Sequence, residues 1–99
     1  MGLAQVFAED RRKIILVVLD KSNHSANEDI LKQVIDERGN QAFKDMIRAD
    51  MEFLEEHALI RIEKLPKERG ELWIAHVLPA GRDVARGRSH VGVSRHEPD

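Results

Sequence analysis

The chain of 99 residues and 11.3 kDa has room for one hydrophobic core, since domains usually run to roughly 100–150 residues, and no second folded unit is expected in it. With 41% apolar and 34% charged residues it is too hydrophobic for a disordered chain, and its longest unbroken apolar run, the six residues Ile14 to Leu19, is far short of the roughly twenty a membrane span needs. The 16 Lys/Arg and 18 Asp/Glu leave a net charge of −2, which argues against a purely electrostatic nucleic-acid binder, and the absence of Cys excludes disulfides, thiolate metal sites and a cysteine nucleophile.

The first predicted element runs from Val6 to Asp20, where Phe7, Ile14, Ile15, Val18 and Leu19 lie at helical spacing. Leu16 and Val17 fall outside that stripe and make the cylinder more apolar than one small domain is expected to cover. Two explanations stand: a homodimer seam through Leu16 and Val17, or packing against the chain's own terminal segments. After a turn at 21–24, Ser25-Ala26-Asn27-Glu28 matches the S-x-x-E capping box, and Ile30, Leu31, Val34 and Ile35 form the stripe of a second helix from about Asn27 to Arg38, ended by Gly39. The third helix carries Phe43, Ile47, Met51, Leu54 and Ala58 at intervals of three and four. Beyond it the period changes to two: Ile60 and Ile62 alternate with Arg61 and Glu63, Pro66 to Glu71 is a polar turn, and Leu59 to Leu78 reads as one antiparallel hairpin. Pro79 suits the first turn of a short helix through Ala85, closed by Gly87.

Charge is unevenly placed along these elements. Residues 1–56 hold eight Lys/Arg and twelve Asp/Glu, a balance of −4, whereas residues 57–88 hold seven Lys/Arg and four Asp/Glu, a balance of +3. The order helix, helix, helix, hairpin, short helix predicts an α+β winged helix-turn-helix domain over 1–88, followed by a tail over 89–99 with little to bury beyond Val91 and Val93. In that geometry the third helix enters a major groove with its N-terminal residues foremost, and a hairpin wing can reach the flanking backbone. Double-stranded DNA is therefore the expected partner. Gln41, Lys44, Asp45 and Arg48 are the candidate groove-reading residues, and Lys64, Lys67 and Arg69 the candidate phosphate contacts. Each has a plainer explanation: Lys44 and Arg48 can pair with neighbouring acids, and the hairpin cations can protect an exposed edge. Trp73 is expected to pack in the core or at its rim. Arg82, Arg86 and Arg88 could touch a DNA backbone or hold the tail.

Residues 48–60, Arg48-Ala49-Asp50-Met51-Glu52-Phe53-Leu54-Glu55-Glu56-His57-Ala58-Leu59-Ile60, resemble the end of a winged-helix recognition helix running into its wing. Residues 78–87, beginning Leu78-Pro79-Ala80-Gly81, are similar to the segment that follows such a wing, and Val91-Gly92-Val93-Ser94-Arg95 to its closing segment. Together they resemble the small winged-helix proteins of Mu-like phages and prophages, loosely grouped with ArsR-type repressors. Ala58 stands where that pattern usually has Gly, and Pro79 where it has Thr. The resemblance implies a regulator of phage or prophage transcription in the cytoplasm of a bacterial host. A protein-interaction module for phage assembly or host takeover is the alternative.

Cofactor, metal and small-molecule ligand are all unexpected. His24, His57, His76, His90 and His96 show no ligand spacing, and His57 suits the negative end of the third helix. Glu28-Asp29 and Glu55-Glu56 are adjacent pairs that read as solvated faces rather than an acid/base couple, and no phosphate loop or nucleophile elbow occurs, so an enzyme is not expected.

Overall fold

The computed structural model describes residues 2–98, so Met1 and Asp99, the first and last residues of the expected domain and tail, lie outside the described residues. The elements in chain order are α1 (Leu3–Lys21), β1 (Ser25–Asn27), α2 (Glu28–Glu37), α3 (Lys44–Glu56), β2 (Ile60–Pro66), β3 (Glu71–Val77) and α4 (Pro79–Ala85). The architecture is α+β, with one antiparallel sheet ordered β1-β3-β2.

Helix α1 ends where the Ser22 N–H donates to the Val18 carbonyl at 2.9 Å, and the left-handed residues Asn23 and His24 then swing the chain into β1. That strand was not expected. Ser25 lies in it, opposite His76, instead of capping a helix. The cap of α2 is Asn27, whose side chain accepts from the Ile30 N–H at 2.9 Å, and Glu28 is buried rather than reaching back along the chain or lying on a solvated face. Gly39, at φ 81°, reverses the chain toward α3, which begins only at Lys44. Phe43 is thus the N-cap residue and projects into solvent with 77% of its surface exposed, contrary to its expected place in the core. Phe7 is likewise exposed, because the first turns of α1 extend past the body that buries Ile14, Ile15 and Leu19.

Ala58 ends the α3 connection at φ 58°, with the Leu59 N–H returning to the Leu54 carbonyl at 2.9 Å. The left-handed backbone expected of a glycine is therefore adopted by an alanine. Strands β2 and β3 pair from Ile60↔Val77 to Pro66↔Glu71, and the Lys67 N–H donates to the Gly70 carbonyl across the turn at 2.9 Å. Helix α4 starts with Pro79 and lies so close to the hairpin base that a Cβ on Gly81 would approach the Leu59 carbonyl oxygen to 2.1 Å.

The core surrounds α1, which touches α2, α3, α4, β1 and β3. This accounts for the all-round apolar character of α1: Leu16 is 0% exposed and Val17 4%, both covered by the chain's own elements. A dimer seam through Leu16 and Val17 is thereby corrected, since neither reaches the surface. Polar anchors fix α1 in place. Buried Asp50 of α3 accepts from Arg11 Nε at 2.6 Å and Arg12 Nε at 3.2 Å, while burial pushes its carboxyl above the ordinary range against the pull of both arginines. The buried Lys13 ammonium donates to the Val84 carbonyl, and desolvation lowers its pKa. Asp20 binds Arg82 at 3.1 Å and Arg86 at 3.2 Å, and Arg88 lies 3.8 Å from Asp83, so the arginine trio ties α4 to the end of α1 and to itself.

The segment after α4 buries more than its composition implies. Val93 is buried, Gly92 abuts the Phe53 ring, Arg12 Nη1 donates to the Gly92 carbonyl at 2.9 Å, and Ser94 donates to Asp10 from its hydroxyl and to the Glu9 carbonyl from its backbone. Glu97 then meets Arg38 at 2.6 Å. Val91 remains exposed.

Candidate nucleic-acid interface

The N-terminal turns of α3 and the tip of the β2–β3 hairpin face each other across an open cleft. Lys44, Asp45, Arg48, Lys67, Arg69, Gly70 and Glu71 line it, so four cations meet two carboxylates there. Two local features bring them together. Lys44 and Arg48 lie one turn apart and share a side of α3, and Gly70, at φ 85°, folds the hairpin tip so that Lys67 and Arg69 flank the turn.

Arg48 is engaged within the fold. Its Nε and Nη2 reach the two oxygens of Glu28 at 2.6 and 2.9 Å, Nη2 also donates to the Glu71 carbonyl at 2.8 Å, and the guanidinium stands 4.5 Å from the Trp73 ring centre. Glu28 in turn accepts the Trp73 backbone N–H at 2.7 Å. Strand β1 stops at Asn27, opposite Ile74, so Glu28 supplies the acceptor that a longer β1 would have offered the next stretch of β3. Burial raises the Glu28 pKa, but the bonds from Arg48 and Trp73 and the charges of Arg48 and Lys44 outweigh it and hold the carboxyl below its ordinary value. The Glu28 bond likewise raises the pKa of Arg48. One buried carboxylate thereby joins α2, α3 and β3 beneath the cleft. Its only sequence signal is the S-x-x-E match, which assigns it a different partner.

The other candidates divide. Lys44 reaches Asp29 at 3.5 Å and Glu28 at 4.0 Å, yet its side chain stays 44% exposed at the cleft. Lys64 stands opposite Trp73 and lays its ammonium 4.4 Å from the indole ring centre; Trp73 itself is buried, as expected. Among the described residues, six Lys/Arg have no carboxylate oxygen within 4.0 Å, namely Lys13, Arg61, Lys64, Lys67, Arg69 and Arg95. Four of these belong to the hairpin. Gln41 lies outside the cleft: it precedes α3 and borders another groove with Lys32, Asp36, Ala42 and Phe43. Neighbouring Asn40 donates to the Phe7 carbonyl at 2.9 Å. Asp45 turns back on the Met46 N–H at 3.0 Å.

Further along α3 the outward side is acidic. Glu52, Glu55 and Glu56 are exposed, and Glu55 accepts the Ile62 N–H at 2.8 Å. Only the first turns of the helix therefore present a surface that suits phosphate. On the far face of the sheet, Ser25 Oγ lies 2.6 Å from His76 Nδ1, and His76 Nε2 lies 2.8 Å from Glu63 Oε1. An imidazole protonated at Nε2 donates to Glu63 and accepts from Ser25, which clasps all three strands together. His57 stacks on Phe53 with ring centres 4.2 Å apart and meets the edge of His90 at 5.1 Å. Among the described residues no three His, Asp or Glu side chains gather as a metal site, and no helix is long and apolar enough to cross a membrane.

No protein-family profile matches the chain, and no solved structure gives a significant match. The chain is 37% identical over 94 residues to the uncharacterized protein gp26 of Escherichia phage Mu, covering 94% of each chain. It is 32% identical over 65 residues to an uncharacterized protein of Haemophilus influenzae strain Rd, covering 66% of this chain and 64% of that one. The identity to the Mu protein extends almost end to end, and the chain belongs to the family of Mu-like phage proteins that includes gp26.

Proposed function

We propose that the protein is a winged-helix regulator of phage or prophage transcription that binds duplex DNA through the cleft between α3 and the hairpin. The observation that carries this reading is the gathering of cations from two separate elements around one cleft, Lys44 and Arg48 from α3 with Lys67 and Arg69 from the hairpin, in a chain whose net charge is −2. The hairpin acts as the wing, and its unpaired Lys64, Lys67 and Arg69 grip phosphates. Lys44 adds a contact from the first turn of α3, whereas Arg48 positions that turn by binding Glu28. Helix α3 enters the major groove by its N-terminal end alone, which keeps Glu52, Glu55 and Glu56 away from the backbone.

Titration of phage-derived duplex fragments at low salt, followed by gel mobility, tests the reading: retarded complexes are expected, and free DNA at every protein concentration contradicts it. A second reading is favoured by the acidic side of α3 itself. If Glu52, Glu55 and Glu56 face a basic protein partner, the family serves phage assembly or host takeover as an interaction module. Loss of partner binding on reversing those charges, with DNA unbound, would establish that instead.

A further inference from the structure

Neither the core nor the cleft accounts for Phe43. It stands at the N-cap of α3, 77% exposed, while Ile47, Met51 and Leu54 of the same helix are fully buried. Met46, three residues on and 38% exposed, is its neighbour on the helix surface. The two make an apolar edge at the leading end of α3, directly before and after Lys44 and Asp45 of the cationic cleft. Asp45 is exposed here too, with its carboxylate bonded to the Met46 N–H, so the apolar pair, the Lys44 ammonium and one carboxylate share this end.

We infer that Phe43 and Met46 read thymine 5-methyl groups, and thereby give the protein a preference for A·T-containing duplex; this rests on the DNA-binding reading above. Thymine is the base that presents an apolar group in the major groove, where its methyl meets side chains such as Phe. A helix entering end-on brings its N-cap side chain to the groove floor first. Lys44, Lys67 and Arg69 alongside neutralise the phosphates that would otherwise repel an acidic protein from that position. Removing a methyl from such a contact weakens binding about fourfold, the transfer value of one buried methyl-sized group.

The test compares short alternating A·T duplexes carrying thymine or deoxyuridine, two probes that differ only in the 5-methyl group. Wild type is expected to bind the thymine duplex about fourfold more tightly for each methyl contacted. Phe43→Ala reduces the preference, Phe43→Ala with Met46→Ala binds both equally, and Phe43→Leu retains the preference. Because Phe43 and Met46 are exposed, all three variants should keep the wild-type circular dichroism and melting temperature. Wild-type indifference to the methyl group, or an undiminished preference in Phe43→Ala, overturns the inference while leaving DNA binding intact. Failure of wild type to bind either A·T duplex while phage-derived fragments are retarded overturns the inference alone, and failure on all of them overturns both.

Discussion

Replacing Glu28 tests the junction beneath the cleft. Its side chain is 0% exposed and holds the Arg48 guanidinium by two bonds and the Trp73 N–H by a third. Glu28→Ala strips the part-exposed Arg48 guanidinium of its carboxylate, which costs up to about 3 kcal/mol, and leaves a β3 N–H without its acceptor. That is a large share of the roughly 5–15 kcal/mol expected of a whole domain. Glu28→Gln keeps the shape but sets an amide against the guanidinium, and a loss of about 2 kcal/mol follows from the missing charge-assisted bond. Urea unfolding followed by Trp73 emission and circular dichroism measures both. At a slope of about 1–3 kcal/mol per molar urea, the Gln variant should lose at least roughly 0.7 M in midpoint with the slope unchanged. Pairing it with Arg48→Met should recover part of the loss, since both charges then leave together. A Gln variant within about 0.5 kcal/mol of wild type, or strict additivity in the double variant, refutes the argument.

Three further outcomes follow from other sites. The Glu28 carboxyl is held below its ordinary value in the folded state, as are Asp20 beside Arg86, Asp36 beside Lys32 and Glu97 beside Arg38. Their stabilisation is present above the unfolded values near 4 and is lost as pH falls through the lower folded values, so wild-type stability should drop in acid below about pH 4, less steeply in Glu28→Gln. Ala58→Gly relieves a left-handed alanine at φ 58° and should stabilise by about 1 kcal/mol, raising the melting temperature by a few degrees; a lower melting temperature argues against strain there. Leu16→Glu places a charge in the fully buried side of α1 and should unfold the chain by circular dichroism; a folded monomeric variant would contradict the packing described.

Much of the architecture was legible because it depends on local periodicity. The switch from spacing three and four to alternation after Ala58 marks the α3–β2 junction, and Pro79 marks the start of α4. The misplacements occur where a decisive partner is distant. Strand β1, at three residues, is too short to show a period and exists because β3 lies beside it. Glu28 looks like a cap or a solvated acid until Arg48, 20 residues on, and Trp73, 45 residues on, fold against it. Leu16 and Val17 look surplus until α1 is seen to be wrapped by helices and sheet. Phe43 continues the spacing of Ile47 and Met51 but falls before the helix begins. For the candidate site, residue types identified Lys44, Lys67 and Arg69 as cations near a helix start and a hairpin tip. That they share a cleft, and that Arg48 is held by Glu28, are facts of tertiary geometry.

The salt dependence of duplex binding tests the central claim most directly. If Lys44, Lys64, Lys67 and Arg69 each neutralise a phosphate, the logarithm of the association constant should fall with the logarithm of salt at a slope of about −3.6, and Lys67→Ala should make it shallower by about one. A slope near zero, or one that Lys67→Ala leaves unchanged, would contradict the assignment of the cleft and hairpin to DNA.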